Sequence, residues 1–214
     1  MLKVLNLYSG IGGNRKLWED VEVTAVEFDP KIAEIYQDFF PDDKVIVTDA
    51  HQYLLEHFKE FDFIWASPPC PTHSKMRRHL TMQKEATKAV FPDMKLYEEI
   101  IFLSSYFKGK YCVENVSSYY EPLIRPQEVG RHYYWANFMI KEFTTKETRV
   151  HRDRTWQELQ EIYGFDISNY DVANKRKILR NCVEPEVGKI ILDSARGNTQ
   201  QPLTAFSKSL RTKP

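Results

Sequence analysis

The sequence predicts an α/β domain built on a largely parallel sheet. Two observations predict it. Short apolar runs alternate with helical patterns through the first half of the chain. The residues with the richest chemistry follow directly after those runs, at the edge where open α/β sheets bind ligands.

The elements can be justified in order. Val4 to Tyr8 reads as a buried strand that ends in Ser9-Gly10-Ile11-Gly12-Gly13. Val23 to Phe28 is a second strand. Asp29 then caps a helix with Pro30 at its first position, where a missing N–H costs nothing. Ile32, Ile35, Tyr36 and Phe39 give that helix its apolar face. Val45 to Val47 is a third strand, followed by Thr48-Asp49-Ala50, and Phe61 to Ala66 a fourth, ending in Ser67-Pro68-Pro69-Cys70. A long helix is expected at about Asp93 to Phe107, then a fifth strand at Tyr111 to Val113 ending in Glu114-Asn115-Val116. Tyr133 to Ile140 reads as the start of a closing antiparallel hairpin. From Lys141 to Arg180 the chain is polar and mixed, and only a short helix near Trp156 to Tyr163 stands out. A last helix is expected over Pro185 to Ser194, before a polar tail from Arg196 to Pro214. There is no internal repeat.

Composition narrows the functional classes. Of 214 residues, 42% are hydrophobic and 14% aromatic, enough for a real core and too many for a disordered chain. Thirty Lys and Arg balance thirty Asp and Glu, which excludes a histone-like polycation but leaves room for a local basic patch. Three cysteines, odd in number and far apart, read as free thiols of a reducing compartment. Met1 leads straight into a strand-like run rather than a signal peptide. No stretch approaches the ~20 apolar residues of a membrane span. The expectation is a soluble, cytoplasmic protein.

The glycine-rich turn after the first strand, Tyr8-Ser9-Gly10-Ile11-Gly12-Gly13, lets the backbone turn tightly and approach a ligand. It lacks the Lys-Ser/Thr pair of a triphosphate loop. Glu27 at the end of the second strand is placed to accept hydrogen bonds from ribose hydroxyls. Phe28 suits a purine ring, and Asp49 an adenine amino group. An ordinary tight turn and solvated strand ends are the bland alternatives. The sharpest feature is Ser67-Pro68-Pro69-Cys70, a stiffened turn with a thiol at its tip. It opens the basic segment Pro71 to His79, a setting expected to favour thiolate over thiol. Cys112 and Cys182 read first as small buried hydrophobes. His73 and Cys70 have no further Cys or His at ligand spacing, so no metal is expected. Glu114, at an apolar strand end, is a candidate to hold a proton and donate it.

Taken together, Tyr8-Ser9-Gly10-Ile11-Gly12-Gly13, Glu27, Asp49, Pro69-Cys70 and Glu114-Asn115-Val116 resemble the cytosine-5 DNA methyltransferases in order and spacing. Arg180-Asn181-Cys182-Val183-Glu184-Pro185 is similar to that family's last motif, which folds back onto the cofactor. The resemblance implies a Rossmann-like class I methyltransferase fold, a mostly parallel seven-stranded sheet with a reversed last strand and helices on both faces. It implies S-adenosylmethionine as methyl donor, held by Tyr8, Ser9, Gly10, Gly12, Gly13, Glu27, Phe28, Asp49, Ala50, Pro69, Asn181 and Cys182. It implies Cys70 as the nucleophile toward carbon 6 of a flipped cytosine in double-stranded DNA, Glu114 at ring atom N3, and Arg131 as the contact to the base carbonyl. Ser74, Lys75, Arg77 and Arg78 fall in the family's mobile loop and suit phosphates.

The chain departs from the pattern in three places. Pro71 follows Pro-Cys where Gln is usual, and Gly130-Arg131-His132-Tyr133 stands for a richer arginine motif. Between the arginine motif and the last motif there is no room for a full target recognition domain. The resulting division is a catalytic unit over 1–140 plus 180–195, a reduced recognition segment over 141–179 and a tail over 196–214. That segment carries Arg149, Arg152, Arg154 and Lys175-Arg176-Lys177, so it can track phosphates. Short or relaxed specificity, or a separate specificity partner, follows as the expectation, in a monomer of phage, mobile-element or restriction-modification type. An RNA cytosine-5 methyltransferase and a non-catalytic cofactor-binding subunit are the alternatives. An amino methyltransferase fits less well, because Cys70 stands where those enzymes place an aromatic ring.

Overall fold

The computed structural model describes residues 1–83, 88–141 and 154–197, with the side chains of Arg77, Leu80 and Gln83 left out. Arg149, Arg152 and most of the polar tail lie outside the described residues. The first strand, β1 (Leu2–Leu7), is the organising element. On one side it pairs in parallel with β2 (Val21–Glu27), which pairs with β3 (Lys44–Val47). On the other side it pairs in parallel with β4 (Phe63–Ala66), which pairs with β5 (Lys110–Val116). A hairpin of β6 (Gln127–Val129) and β7 (His132–Ala136) closes the sheet, with β7 antiparallel to both β5 and β6. The order is β3-β2-β1-β4-β5-β7-β6. This is the seven-stranded sheet with a reversed last strand expected from the sequence.

Strands at the centre are apolar on both faces because helices cover both. Leu5, Leu7 and Ile64 pack beneath α2 (Ala50–His57) and α4 (Lys95–Tyr106). Val4, Phe63, Trp65 and Cys112 pack beneath α7 (Pro185–Gly197), together with Trp18. A third cluster joins α1 (Pro30–Phe39), through Ile35, to α5 (Trp156–Tyr163) and α6 (Lys175–Arg180), through Leu159, Tyr163 and Leu179. The described part of the 141–179 segment, residues 154–179, thus packs on α1 beside Ile11 of the glycine turn. Buried Asn6 exchanges amide hydrogen bonds with Asn14, which satisfies the polar atoms that β1 carries into the α7 face.

Local chemistry explains most boundaries. Asp29 accepts from the Lys31 N–H and Pro30 opens α1, as the sequence predicts. Thr155 and Glu158 form a reciprocal capping box at α5, whose far end stops at Gly164 with φ of 67°. Three helices were not legible. α2 is only eight residues long, and the segment after Cys70 forms α3 (Lys75–Gln83) rather than an open loop. The third, α6, hides in a basic run. Two further expectations are corrected. β5 runs on to Val116, because β7 continues to pair with it, so Glu114 and Asn115 lie within the strand. Tyr133 to Ile140 does not begin the hairpin, for β7 is its second arm and β6 its first.

Candidate active site

The chain order reverses direction across the sheet between β1 and β4, which opens a crevice at their carboxyl ends. The glycine turn leaves β1 there and the Pro-Pro-Cys turn leaves β4. The two turns start side by side, with the Ser67 N–H donating to the Leu7 carbonyl and the Ser9 N–H to the Val26 carbonyl.

On the β1 side, Glu27 does more than mark a strand end. One carboxylate oxygen accepts from the Gly10 N–H and the other from the N–H groups of Phe28 and Asp29, all at 3.0 Å. Glu27 therefore ties the glycine turn to the end of β2. Gly10 has φ of 55°, and a Cβ built on it would meet nothing within 4 Å, so the backbone faces open space. The Ser9 hydroxyl beside it is buried without a hydrogen-bond partner. Gly12 packs against Tyr36 and Phe40. A Cβ on Gly13 would lie 2.4 Å from the Val183 carbonyl oxygen, so only glycine lets the Asn181-Cys182-Val183 turn close on this loop. The Cys182 thiol is turned inward onto the Ile178 carbonyl, and burial pushes its pKa up to about 12. Phe28 is three-quarters exposed at the rim. Asp49 caps α2 by accepting from the Gln52 N–H, and Ala50 is buried behind it.

A buried network that the sequence did not disclose supports the same loop. Tyr8 holds φ of 56°, a strained value for a non-glycine residue. Its hydroxyl donates to Oε1 of Glu99, a fully buried acid on α4, and His51 Nδ1 lies 3.0 Å from the same oxygen. The Glu99 contact raises the His51 pKa, against an opposing effect of burial. A histidine whose folded pKa is raised contributes stability that is fully present below its unfolded value of about 6.5. That contribution is lost as pH rises through the folded value. Urea unfolding should accordingly show stability falling from about pH 6.5 upward, and His51→Gln should remove that component.

On the β4 side, the Asn115 side-chain amide donates to the Pro68 carbonyl at 2.9 Å. This bond pins β5 to the Pro-Pro-Cys turn and brings Glu114 near Cys70. Pro68 is buried, Pro69 exposed and Cys70 half-buried. The expectation that Cys70 favours thiolate is corrected. Burial, and then the negative charge of Glu114, push the thiol pKa up, while the Lys177 ammonium on α6 opposes them. In the sequence Lys177 is only one member of a basic run; its neighbours Lys175 and Arg176 are engaged, donating to the Ser168 and Arg154 carbonyls. His73 is buried and bonds the Tyr120 hydroxyl. The Cys70 carbonyl accepts from the N–H groups of His73 and Ser74, which leads the chain into α3. Ser74 accepts from the Met76 N–H, and exposed Lys75, Arg78 and His79 line an open cavity of about 300 Å³ with Met82 and Tyr119. The Arg78 guanidinium sits 5.5 Å over the Tyr119 ring. The Arg77 side chain lies outside the described residues.

Beside Glu114 the structure places His132, with Nε2 at 3.7 Å from Oε1. Arg131, expected to contact the base carbonyl, is exposed in the tight turn before β7, where its backbone carbonyl accepts from the Ser117 N–H.

Among the described residues no group of His, Cys, Asp and Glu is arranged to hold a metal, and no helix is long and apolar enough to cross a membrane. A family model for C-5 cytosine-specific DNA methylases matches residues 2–121, more than half of the chain and the part that carries Gly10, Cys70 and Glu114. The chain belongs to that family. Among solved structures, Entamoeba histolytica methyltransferase EhMeth superposes with a TM-score of 0.53 over 91% of this chain and 97% of that one at 12% identity, which shows the shared fold. A Spodoptera frugiperda DNMT2 mutant matches at 25% identity and a TM-score of 0.40, covering 54% of this chain. The chain covers 36% of that protein's length. No curated relative matches. The family implies methyl transfer with S-adenosylmethionine as donor. The β1 side of this C-5 methylase crevice fits such a ligand, since it offers an open glycine backbone and an unsatisfied buried hydroxyl.

Proposed function

We propose that this C-5 methylase methylates carbon 5 of cytosine in DNA through a covalent adduct between Cys70 and carbon 6. One observation carries the reading: the Asn115–Pro68 hydrogen bond sets a thiol and a carboxyl on adjoining strand ends of one crevice, close enough for Glu114 to act on Cys70.

The sequence of events follows from what each side chain can do. The Cys70 thiol first loses its proton to solvent, a step that Lys177 favours. The sulfur then forms a bond to carbon 6, and the electron pair of the 5,6 double bond moves into the ring. A proton taken up with the base and shared between Glu114 and N3 neutralises the charge that builds there and leaves carbon 5 nucleophilic. S-adenosylmethionine, when bound, supplies an electrophilic methyl group. After alkylation the proton on carbon 5 passes to water, the sulfur–carbon 6 bond breaks with its electrons returning to Cys70, and Glu114 recovers the N3 proton. A stacked base is out of reach of this crevice, so the target must be flipped out, at a cost of a few kcal/mol.

The donor would be held by Tyr8, Ser9, Gly10, Gly12 and Gly13, with Glu27 toward the ribose. Phe28, Asp49 and Ala50 would hold the purine, and Pro69, Asn181 and Cys182 would close the site. Glu27→Ala should weaken binding of S-adenosylmethionine by roughly tenfold or more, because it releases both the ribose acceptor and the Gly10 clamp. Titration calorimetry reads this directly. Lys75, Arg78 and His79 would meet phosphates of the flipped strand. With so short a segment between β7 and the last turn, the preferred site should span few bases, and sequencing of methylated random DNA tests that.

The decisive experiment offers 5-fluorocytosine in duplex DNA and in RNA, each with S-adenosylmethionine. Fluorine cannot leave as a proton does, so the adduct persists and appears as a denaturation-resistant complex. A complex with DNA is expected. A complex with RNA alone would transfer the activity to RNA, and none with either would overturn covalent catalysis.

A further inference from the structure

We propose that the groove between α3 and Tyr119 is a subsite for the nucleotide next to the target, whose base lies against Tyr119 while its phosphate meets α3. This rests on the reading of the crevice as a cytosine site in DNA and extends that site by one nucleotide.

Helix periodicity builds the first wall. Arg78, His79 and Met82 stand three, four and seven residues after Lys75 on α3, the spacing that brings side chains onto one helix face. That face presents two cations, an imidazole and a long apolar side chain. Met82 is 74% exposed, a large apolar group left in water beside basic ones.

Tertiary structure builds the second wall. Tyr119 follows β5 by three residues, and its N–H donates to the His73 carbonyl at 3.1 Å. Ser118 forms an isolated bridge with Ser74. The Tyr120 ring meets that of Tyr119 edge-on, with centroids 5.1 Å apart. The two walls thus continue the segments that carry Cys70 and Glu114. A nucleic-acid strand that leaves the crevice along them enters this groove.

The groove has two unlike halves. The cavity of about 300 Å³ lined by Lys75, Arg78 and His79 is basic and lies at the lower end of the size range of small-ligand sites. A second cavity of about 120 Å³ shares Arg78, Met82 and Tyr119 with it and adds Ala89 and Val90, which makes that end mostly apolar. No carboxylate is among the described residues that line either half. A nucleotide divides in the same way, into an anionic phosphate and a flat base with apolar faces. A bare anion would use only the first half and an apolar peptide only the second. Arg78 joins the halves with its guanidinium over the Tyr119 ring, and bases stack on guanidinium planes and aromatic rings alike. The neighbouring base therefore leaves the duplex stack together with the target.

The test compares methyl transfer to three duplexes: intact, abasic immediately 5′ of the target cytosine, and abasic immediately 3′ of it. Wild type should lose about five- to a hundredfold in kcat/KM on one of the two abasic duplexes. Tyr119→Ala should lose a similar factor on the intact duplex, and its abasic-to-intact ratio on that side should approach one. A missing neighbour also eases extrusion of the target, but equally for both proteins, so the cycle isolates the contact. Because each ratio is taken within one protein, a partly folded variant does not disturb it. Met82→Ala, at an exposed position, should move the ratio in the same direction by a smaller factor, and Tyr119→Phe should keep the wild-type ratio. Equal ratios in wild type and Tyr119→Ala on both sides would overturn the subsite while wild-type trapping by 5-fluorocytosine DNA still stands. Wild type that forms no trapped complex at all would overturn both readings.

Discussion

Cys70→Ser is expected to abolish methyl transfer and trapping, a loss on the order of 10⁴-fold or more, as for other nucleophile deletions. The donor should bind this variant as it binds wild type, because the change touches neither the glycine turn nor Glu27. The fold should also survive, since Cys70 is tied into its turn through its backbone carbonyl, which receives the His73 and Ser74 N–H groups. The thiol itself offers a direct check. Burial and Glu114 raise its pKa above an ordinary value of 9.0. Alkylation of free enzyme should therefore be slow at neutral pH and accelerate about tenfold per pH unit until the raised pKa is passed. The site-specific signal should vanish in Cys70→Ser. Cys112 is fully buried and Cys182 is pushed up to about 12, so neither competes for reagent in the folded protein. Rapid alkylation of Cys70 at pH 7 would show instead that the free site already stabilises the thiolate.

Glu114→Gln should have the next largest effect. The amide keeps the shape and can still donate a hydrogen bond to N3, but it has no proton to transfer. The expected loss is about 10² to 10³-fold in kcat, with unchanged affinity for S-adenosylmethionine. The substitution also removes a negative charge next to Cys70. Its thiol pKa should consequently fall toward the ordinary value, and alkylation at pH 8 should quicken. This opposite response of the thiol and of turnover separates a chemical role from a structural one. A variant that loses both would place Glu114 among the groups that merely hold the strand end in position.

The parts of this molecule that the sequence discloses are those in which a short segment contains its own physical cause. Asp29-Pro30 specifies the start of a helix because the cap and the proline act within one turn. The apolar runs of β1 and β4 read as central strands because they are buried on both faces. The order of chemistry-bearing turns is equally visible, since Ser9-Gly10, Pro69-Cys70 and Glu114-Asn115 each follow a strand directly. The site was harder to read where its members come from distant elements. Glu27 looked like a bare ribose acceptor, yet it holds Gly10 from a neighbouring strand. Tyr8, Glu99 and His51 form one network from β1's end, α4 and α2, and no spacing in the chain announces it.

What the sequence settled alone was the alternation of strands and helices and the identity of the residues offered at the sheet's carboxyl edge, because both depend on local periodicity and turn chemistry. Tertiary structure alone decided which charges surround Cys70 and which way its proton affinity moves, since burial and the fields of Glu114 and Lys177 exist only after folding. It likewise put His132 beside Glu114. A one-residue difference in strand register turns a side chain to the opposite face, and that register is set by pairing between β5 and β7, not by either segment on its own.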